Sequence, residues 1–299
     1  MTTREIALPG APDAGRAHLI GAALAATGAV FWSLGALFIR LVEADAWTLL
    51  FWRSTFIALG MLAYLAVVNR GRIGPVLRGA GWGLVLAGFF MALSMVLYIN
   101  SITRTSVANT LIILAINPFI AAFLAWAVLR ERVTGRTWIA MAIAVVGMVA
   151  MVWDSLDSGN WFGDLLAVGC AATFALTMVI LRKLKNQDTL PQVVFAGAWA
   201  VILTLPVASP LATSARDILL CAFMGICSLG IGMLLFVYGL RYISAAEAGL
   251  LSLLESILAP VWVWLALGER PSNLALVGGV IVLGAVAMQA ALTPRPPPK

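Results

Sequence analysis

Charge is scarce in this chain. Of 299 residues only 11% are Asp, Glu, Lys or Arg, and there is a single histidine. A water-soluble domain of this size carries about 25% charged residues, so an ordinary soluble fold is excluded. Metal chemistry has little to work with. His18 is the lone imidazole, and the three cysteines, Cys170, Cys221 and Cys227, are scattered through apolar segments. No His-Glu-x-x-His or paired Cys-x-x-Cys spacing occurs, so neither a zinc site nor a cofactor is expected. A phosphate-binding glycine loop ending in Lys-Ser or Lys-Thr is also missing, which removes direct ATP drive. The polar groups are too dispersed for an enzyme. The net charge of +6 is not gathered into a basic, aromatic surface, so nucleic acid is not an expected partner.

What fills the chain is apolar sequence: 62% hydrophobic residues and a mean hydropathy of +1.01. A helix needs about 20 apolar residues to cross a bilayer. Candidate spans lie at 19–39, 47–68, 79–101, 106–129, 136–153, 162–181, 191–208, 217–238, 243–267 and 273–292. Trp138 to Trp153 holds no polar side chain at all. Soluble helices keep a polar stripe, and barrel strands would alternate over about ten residues; neither pattern fits. The expected fold is therefore an all-α polytopic membrane protein of ten transmembrane helices in two inverted five-helix repeats. Residues 1–18 form a disordered cytoplasmic leader, 19–153 the first repeat, 154–161 an external linker, 162–292 the second repeat and 293–299 a cytoplasmic tail.

The basic residues choose a side. With both termini in the cytoplasm, fourteen of the 19 Lys and Arg fall inside, among them Arg70, Arg72, Arg78, Arg130, Arg182, Lys183 and Lys185. Arg40, Arg53, Arg104, Arg216 and Arg270 fall at the outer side, together with the acidic stretch DSLDSGNWFGD. This agrees with the positive-inside rule. Five spans per half is an odd number, so the second half is inverted.

The halves also share a register. SITRTSVANTLIILAINPFIAAFLAWAVLRER, residues 101–132, lies over GLRYISAAEAGLLSLLESILAPVWVWLALGER, residues 239–270, with no gap. Asn109 meets Glu247, Asn117 meets Glu255, and Glu131-Arg132 meets Glu269-Arg270. These glutamates are expected to brace the turns into spans five and ten.

On these residues the chain resembles the drug/metabolite transporter superfamily, in its ten-helix EamA-like branch. The paired TSVAN and ISAAEAG starts, LES running on to GER, FWR in span two and GDLLAVGCAATFALTMVILRK carry the likeness, over nearly the whole chain. Ser256 departs from it, because many relatives have proline there. Pro260 follows four residues later and is the expected place for a helix irregularity. The resemblance implies a secondary transporter of small organic solutes. Within the family the chain is most similar to exporters of aromatic and other neutral amino acids.

Polar groups inside hydrocarbon face inward by default. Glu247 and Glu255 are eight residues apart on span nine, broadly on one face. A carboxylate in apolar surroundings binds a proton more readily, so Glu255 is the candidate proton carrier as well as an ammonium ligand. Asn109 and Asn117 would face the same seam from span four, with Asn100 at the end of span three. Interhelical hydrogen bonding is the plainer reading of these amides. Arg53, six residues into span two, offers a fork of donors for a carboxylate, unless it snorkels outward. Trp32, Tyr98, Phe174 and Tyr238 lie in spans expected to surround a central cavity. Trp47, Trp52, Trp82, Trp161 and Trp199 are candidates for interfacial belts.

The expected function is export of amino acids and similar small metabolites by alternating access from a prokaryotic inner (plasma) membrane. A broad drug or metabolite carrier is the alternative, and a non-transport scaffold is a third class. Expected partners are the small-molecule substrate, the lipid bilayer and protons. A monomer suffices, and a homodimer is compatible with the sequence.

Overall fold

The computed structural model describes residues 14–105, 107–131, 133–153, 160–268 and 272–292. The first half contains α1 (Ala14–Leu41), α2 (Ala46–Val68), a short α3 (Ile73–Gly79), α4 (Gly81–Ile102), α5 (Val107–Leu114), α6 (Asn117–Leu129) and α7 (Gly135–Val152). The second contains α8 (Trp161–Lys183), α9 (Pro191–Thr204) and α10 (Ala215–Phe223). A π-helical segment, Met224–Ile231, leads to α11 (Gly232–Gly239), α12 (Ala245–Leu267) and α13 (Asn273–Leu292). Seven helical runs are long and apolar enough to cross a membrane, and Gly135–Met151, Pro191–Thr204 and Asn273–Gln289 are shorter apolar helices. The protein is an all-α, multi-pass membrane protein.

Helix starts are written locally. Asp45 caps α2, its carboxylate accepting from the amides of Trp47 (2.9 Å) and Thr48 (3.1 Å). Partial burial works against ionisation of this carboxyl, but the bonds from Thr48 and Trp47 outweigh it and hold Asp45 below its usual range. Thr134, Asn160 and Ser214 cap α7, α8 and α10 in the same way. Ser244 and Glu247 close a reciprocal capping box on α12, and Gly268 ends that helix at φ +76°.

The long elements interleave the two halves. α1 packs on α11 and α12, and α8 packs on α4, α5 and α6. α2 lies on α9, α6 on α12, and α7 on α13. Several contacts are made by bare backbone, two of them between α1 and α11 and between α7 and α13. A Cβ added to Gly28 would meet the Gly232 carbonyl oxygen at 2.6 Å, and one added to Gly147 would meet that of Gly278 at 2.9 Å. Such approach lets dispersion hold helices together where lipid supplies no hydrophobic drive. Gly284, on the same helix as Gly278, meets nothing within 4 Å. Large apolar side chains point outward, Trp82 at 86% and Trp161 at 76% exposure, as interfacial residues should. Trp52 instead turns inward to donate to Thr213 Oγ1 at 3.1 Å.

Several expected boundaries move. Helix begins at Ala14, so His18 is part of α1 rather than of a leader ending at residue 18. The span at 106–129 is two helices, interrupted at Ala115 and Ile116. The irregularity expected at Pro260 is not there: α12 runs through that proline without a break. Span eight instead carries the π-helical segment. Residues 1–13, the linker residues 154–159, Glu269-Arg270 and the tail 293–299 lie outside the described residues.

Candidate functional site

A cavity of about 190 Å³ lies where the two halves meet. α4 presents a face at helical spacing to it: Met91, Ser94, Met95 and Tyr98. Trp32 enters from α1, Arg53 from α2, and Cys170 and Phe174 from α8. Leu111 and Leu114 come from α5, Asn117 from α6, Leu229 from the π-helical segment, and Ser252, Leu253, Glu255 and Ser256 from α12.

The wall is mostly apolar and aromatic. Trp32 meets Phe174 edge-on at 6.3 Å and tilts over Phe236 at 4.7 Å. Ser94 Oγ and Cys170 Sγ pair with each other at 3.4 Å, but other polar groups of the lining are left over. Trp32 Nε1, Arg53 Nε and Asn117 Oδ1 are buried without a protein partner. An unsatisfied buried donor or acceptor costs about 1–3 kcal/mol, so these atoms are held ready for something the protein itself does not supply. Glu255 is exposed into the cavity. Among the described residues, Arg53 and Glu255 make no ion pair. Both line one cavity with solute-sized space.

Thus Trp32, Arg53, Tyr98, Asn117, Phe174 and Glu255 come together. Three other candidates do not. Asn100 donates to Val96 O at 2.9 Å and accepts from Arg104 Nη1 at 2.6 Å, within its own helix end. Tyr238 lies under the Arg241 guanidinium, 4.9 Å from its ring centre. Glu247 is 9% exposed and bonded to Ser244, to His18 Nε2 at 3.2 Å and to Gln289 Nε2 at 3.1 Å. Eight residues separate it from Glu255, which is about 12 Å along the axis and about 80° around it. That rotation is enough to put the two acids in different surroundings. The side chain of Asn109 lies outside the described part of the structure. The serines, Cys170 and the α4 methionines were absent from the sequence candidates, although the 91, 94, 95, 98 spacing around Tyr98 carried the signal.

Glu131 does not simply brace its own turn. It accepts from Arg182 Nε at 3.0 Å, and the same guanidinium donates to the carbonyls of Leu240 (3.3 Å) and Arg241 (2.7 Å). One side chain thus ties the end of α6 to α8 and to the turn after α11. Among the described residues no group of His, Cys, Asp and Glu is arranged to hold a metal ion.

A multi-pass helical membrane protein enclosing a solute-sized, partly charged cavity between its halves has the architecture of a small-molecule transporter. The chain belongs to the EamA-like transporter family, whose sequence model matches it at residues 19–153 and again at 161–290. It is accordingly a transport protein and not an enzyme. It is 29% identical over 219 residues to an uncharacterized transporter, YwfM, of Bacillus subtilis (strain 168), covering 70% of this chain and 74% of that one. It is 28% identical over 232 residues to a probable terminal-alkyne amino-acid exporter of Streptantibioticus cattleyicolor, covering 77% and 70% respectively. A crystal structure of a protein 16% identical superposes with a TM-score of 0.77 over 92% of this chain and 99% of that one, a likeness of fold alone.

Proposed function

We propose that this protein is a secondary transporter of small organic metabolites or drugs that works by alternating access. The central cavity is the binding site, and ten membrane-crossing helices form two inverted five-helix repeats around it, with both termini in the cytoplasm of a prokaryotic cell. The observation that carries this reading is the cavity itself, lined from both halves and holding buried polar atoms without protein partners. Two further features support it. The family model matches twice along the chain. The helix contacts also exchange as an inverted repeat requires: α1 on α12 and α11 is answered by α8 on α6 and α4. The test is flux. The full chain is reconstituted in sealed vesicles loaded with a panel of labelled metabolites, and saturable efflux is measured. Absence of flux for every solute from folded, oriented protein sinks the proposal.

A narrower reading, amino-acid export, rests on the two charges. A neutral amino acid needs a cationic group for its carboxylate and an anionic group for its ammonium, and Arg53 and Glu255 line one cavity with aromatic walls between helices. Aromatic or other neutral amino acids outcompeting uncharged metabolites in the same vesicles would favour this reading. Proton coupling through Glu255 is tested alongside: Glu255→Gln should abolish the response of flux to an imposed pH gradient, and an unchanged response rejects the coupling role.

A further inference from the structure

The interruption between α5 and α6 lies beside the cavity, and its chemistry is one-sided. Pro118 has no amide hydrogen, so the carbonyl of Leu114, four residues earlier, has no helical donor. The neighbouring backbone closes other bonds. Ala115 N–H donates to Leu111 O (3.0 Å) and Ile112 O (3.1 Å), and Ile116 N–H to Ile113 O (3.1 Å). Phe119 and Ile120 both donate to Ile116 O, at 2.9 and 3.2 Å. Among the described bonds none reaches the carbonyl oxygens of Leu114 or Ala115. Asn117, 3% exposed, adds an amide oxygen without a partner. Leu114, Asn117 and Glu255 line the same cavity, and Gly249 of α12 brings that helix against Asn117 and Pro118.

The Leu114 carbonyl, which Pro118 deprives of its helical donor, the unpaired Asn117 Oδ1 and the Glu255 carboxylate are acceptors brought to one cavity, while the Arg53 guanidinium gives it a positive group from α2. We propose that the α5–α6 break and Glu255 form a cation subsite that takes a compact monovalent cation, either the primary ammonium group of a solute or an alkali ion. The subsite deepens the transport reading and rests on it for its purpose, but its binding can be measured without flux. The break itself has no second copy: Ser256 stands where Pro118 stands in the first half, and its N–H lets α12 continue, although Pro260 leaves the carbonyl of the lining residue Ser256 without its helical donor.

The experiment is a thermal-unfolding titration of the solubilised full chain with methylammonium chloride and, separately, sodium chloride. Ionic strength is held constant with tetramethylammonium chloride, which is bulky and has no N–H. A saturable rise in midpoint with methylammonium, sodium or both is expected. A response to methylammonium alone identifies a solute ammonium as the source, and one to sodium alone an ion. Asn117→Leu, which removes the amide oxygen, should raise the half-saturating concentration about tenfold or more. Pro118→Ala returns a donor to the Leu114 carbonyl and should also weaken binding. If Asn117→Leu does not fold, Asn117→Asp, which keeps the acceptor and adds charge, should tighten binding instead. No saturable response to either cation, or half-saturation unchanged in both the 117 and 118 variants, overturns the subsite. Flux of uncharged solutes in vesicles separates the outcomes: flux without cation binding removes the subsite alone, and cation binding without flux removes the transport reading.

Discussion

Glu247 and Glu255 sit on one helix, two turns apart, in opposite circumstances. Glu247 is fully engaged: it completes a capping box, meets His18 of α1, and joins Gln289, which in turn donates to Thr137 of α7 at 3.0 Å. Glu255 forms no hydrogen bond or ion pair among the described residues and opens onto the cavity. The first carboxylate ties four helices together. The second has no protein partner and faces the cavity. A fully satisfied buried polar group specifies structure, while a carboxylate open to a cavity is available to a ligand under the transport reading proposed above.

That contrast can be broken by exchange. The largest effect is expected at the cavity: Glu255→Ala or Arg53→Leu should lower solute flux by about tenfold to a hundredfold while folded yield, read by size-exclusion chromatography, stays near normal. A charged contact to a bound solute is worth about 1.5–3 kcal/mol. Retained flux in both variants would erase the distinction between the two acids. Glu247→Ala should do the reverse, lowering stability by about 2–3 kcal/mol through the lost cap and buried bonds. Its flux per folded molecule should stay within about threefold of the parent if its role is structural. Thermal midpoint and flux measured on the same preparation separate the two effects.

Smaller changes sharpen the picture at the edges. Arg182→Lys keeps the charge but cannot span Glu131 and the carbonyls of Leu240 and Arg241 at once, because an ammonium lacks the planar fork. A loss of about 1–2 kcal/mol is expected, read as a lower denaturation midpoint. Asp45→Ala should cost about 1 kcal/mol as a lost helix cap. Because the folded Asp45 carboxyl ionises below its unfolded value, its contribution is full above the unfolded value and is lost as pH falls through the folded one. Its exposure to solvent keeps that contribution modest. The parent and Asp45→Ala midpoints should therefore converge on acidification below about pH 4, and a constant gap would remove the cap from the account.

Much of this was legible in the sequence because membrane helices are long and their periodicity is simple. The apolar stretches and the 138-residue register could be read from composition and spacing, and of the pathway candidates Trp32, Arg53, Tyr98, Asn117, Phe174 and Glu255 line the cavity. What escaped depends on angle or on distant pairing. An eight-residue interval was taken as one face, yet about 80° of rotation moved Glu247 away from the cavity. His18 was read as a boundary residue because its partner lies 229 positions away. The helix interruption was expected in the second half, at Pro260, but falls in the first, two residues ahead of Pro118. A proline shows which bond is missing, while the surrounding packing decides whether the helix bends, breaks or runs through.

The bare-backbone seams at Gly28–Gly232 and Gly147–Gly278 have a consequence for how such a protein diversifies. No side chain fits at these four positions, and none of them belongs to the cavity lining. At Gly232 the joint and the recognition surface meet, because a Cβ there would lie 2.5 Å from Cδ1 of the lining residue Trp32. A change of cargo written at lining positions away from that contact leaves the joints fixed, whereas one written at Trp32 must also fit the seam between α1 and α11.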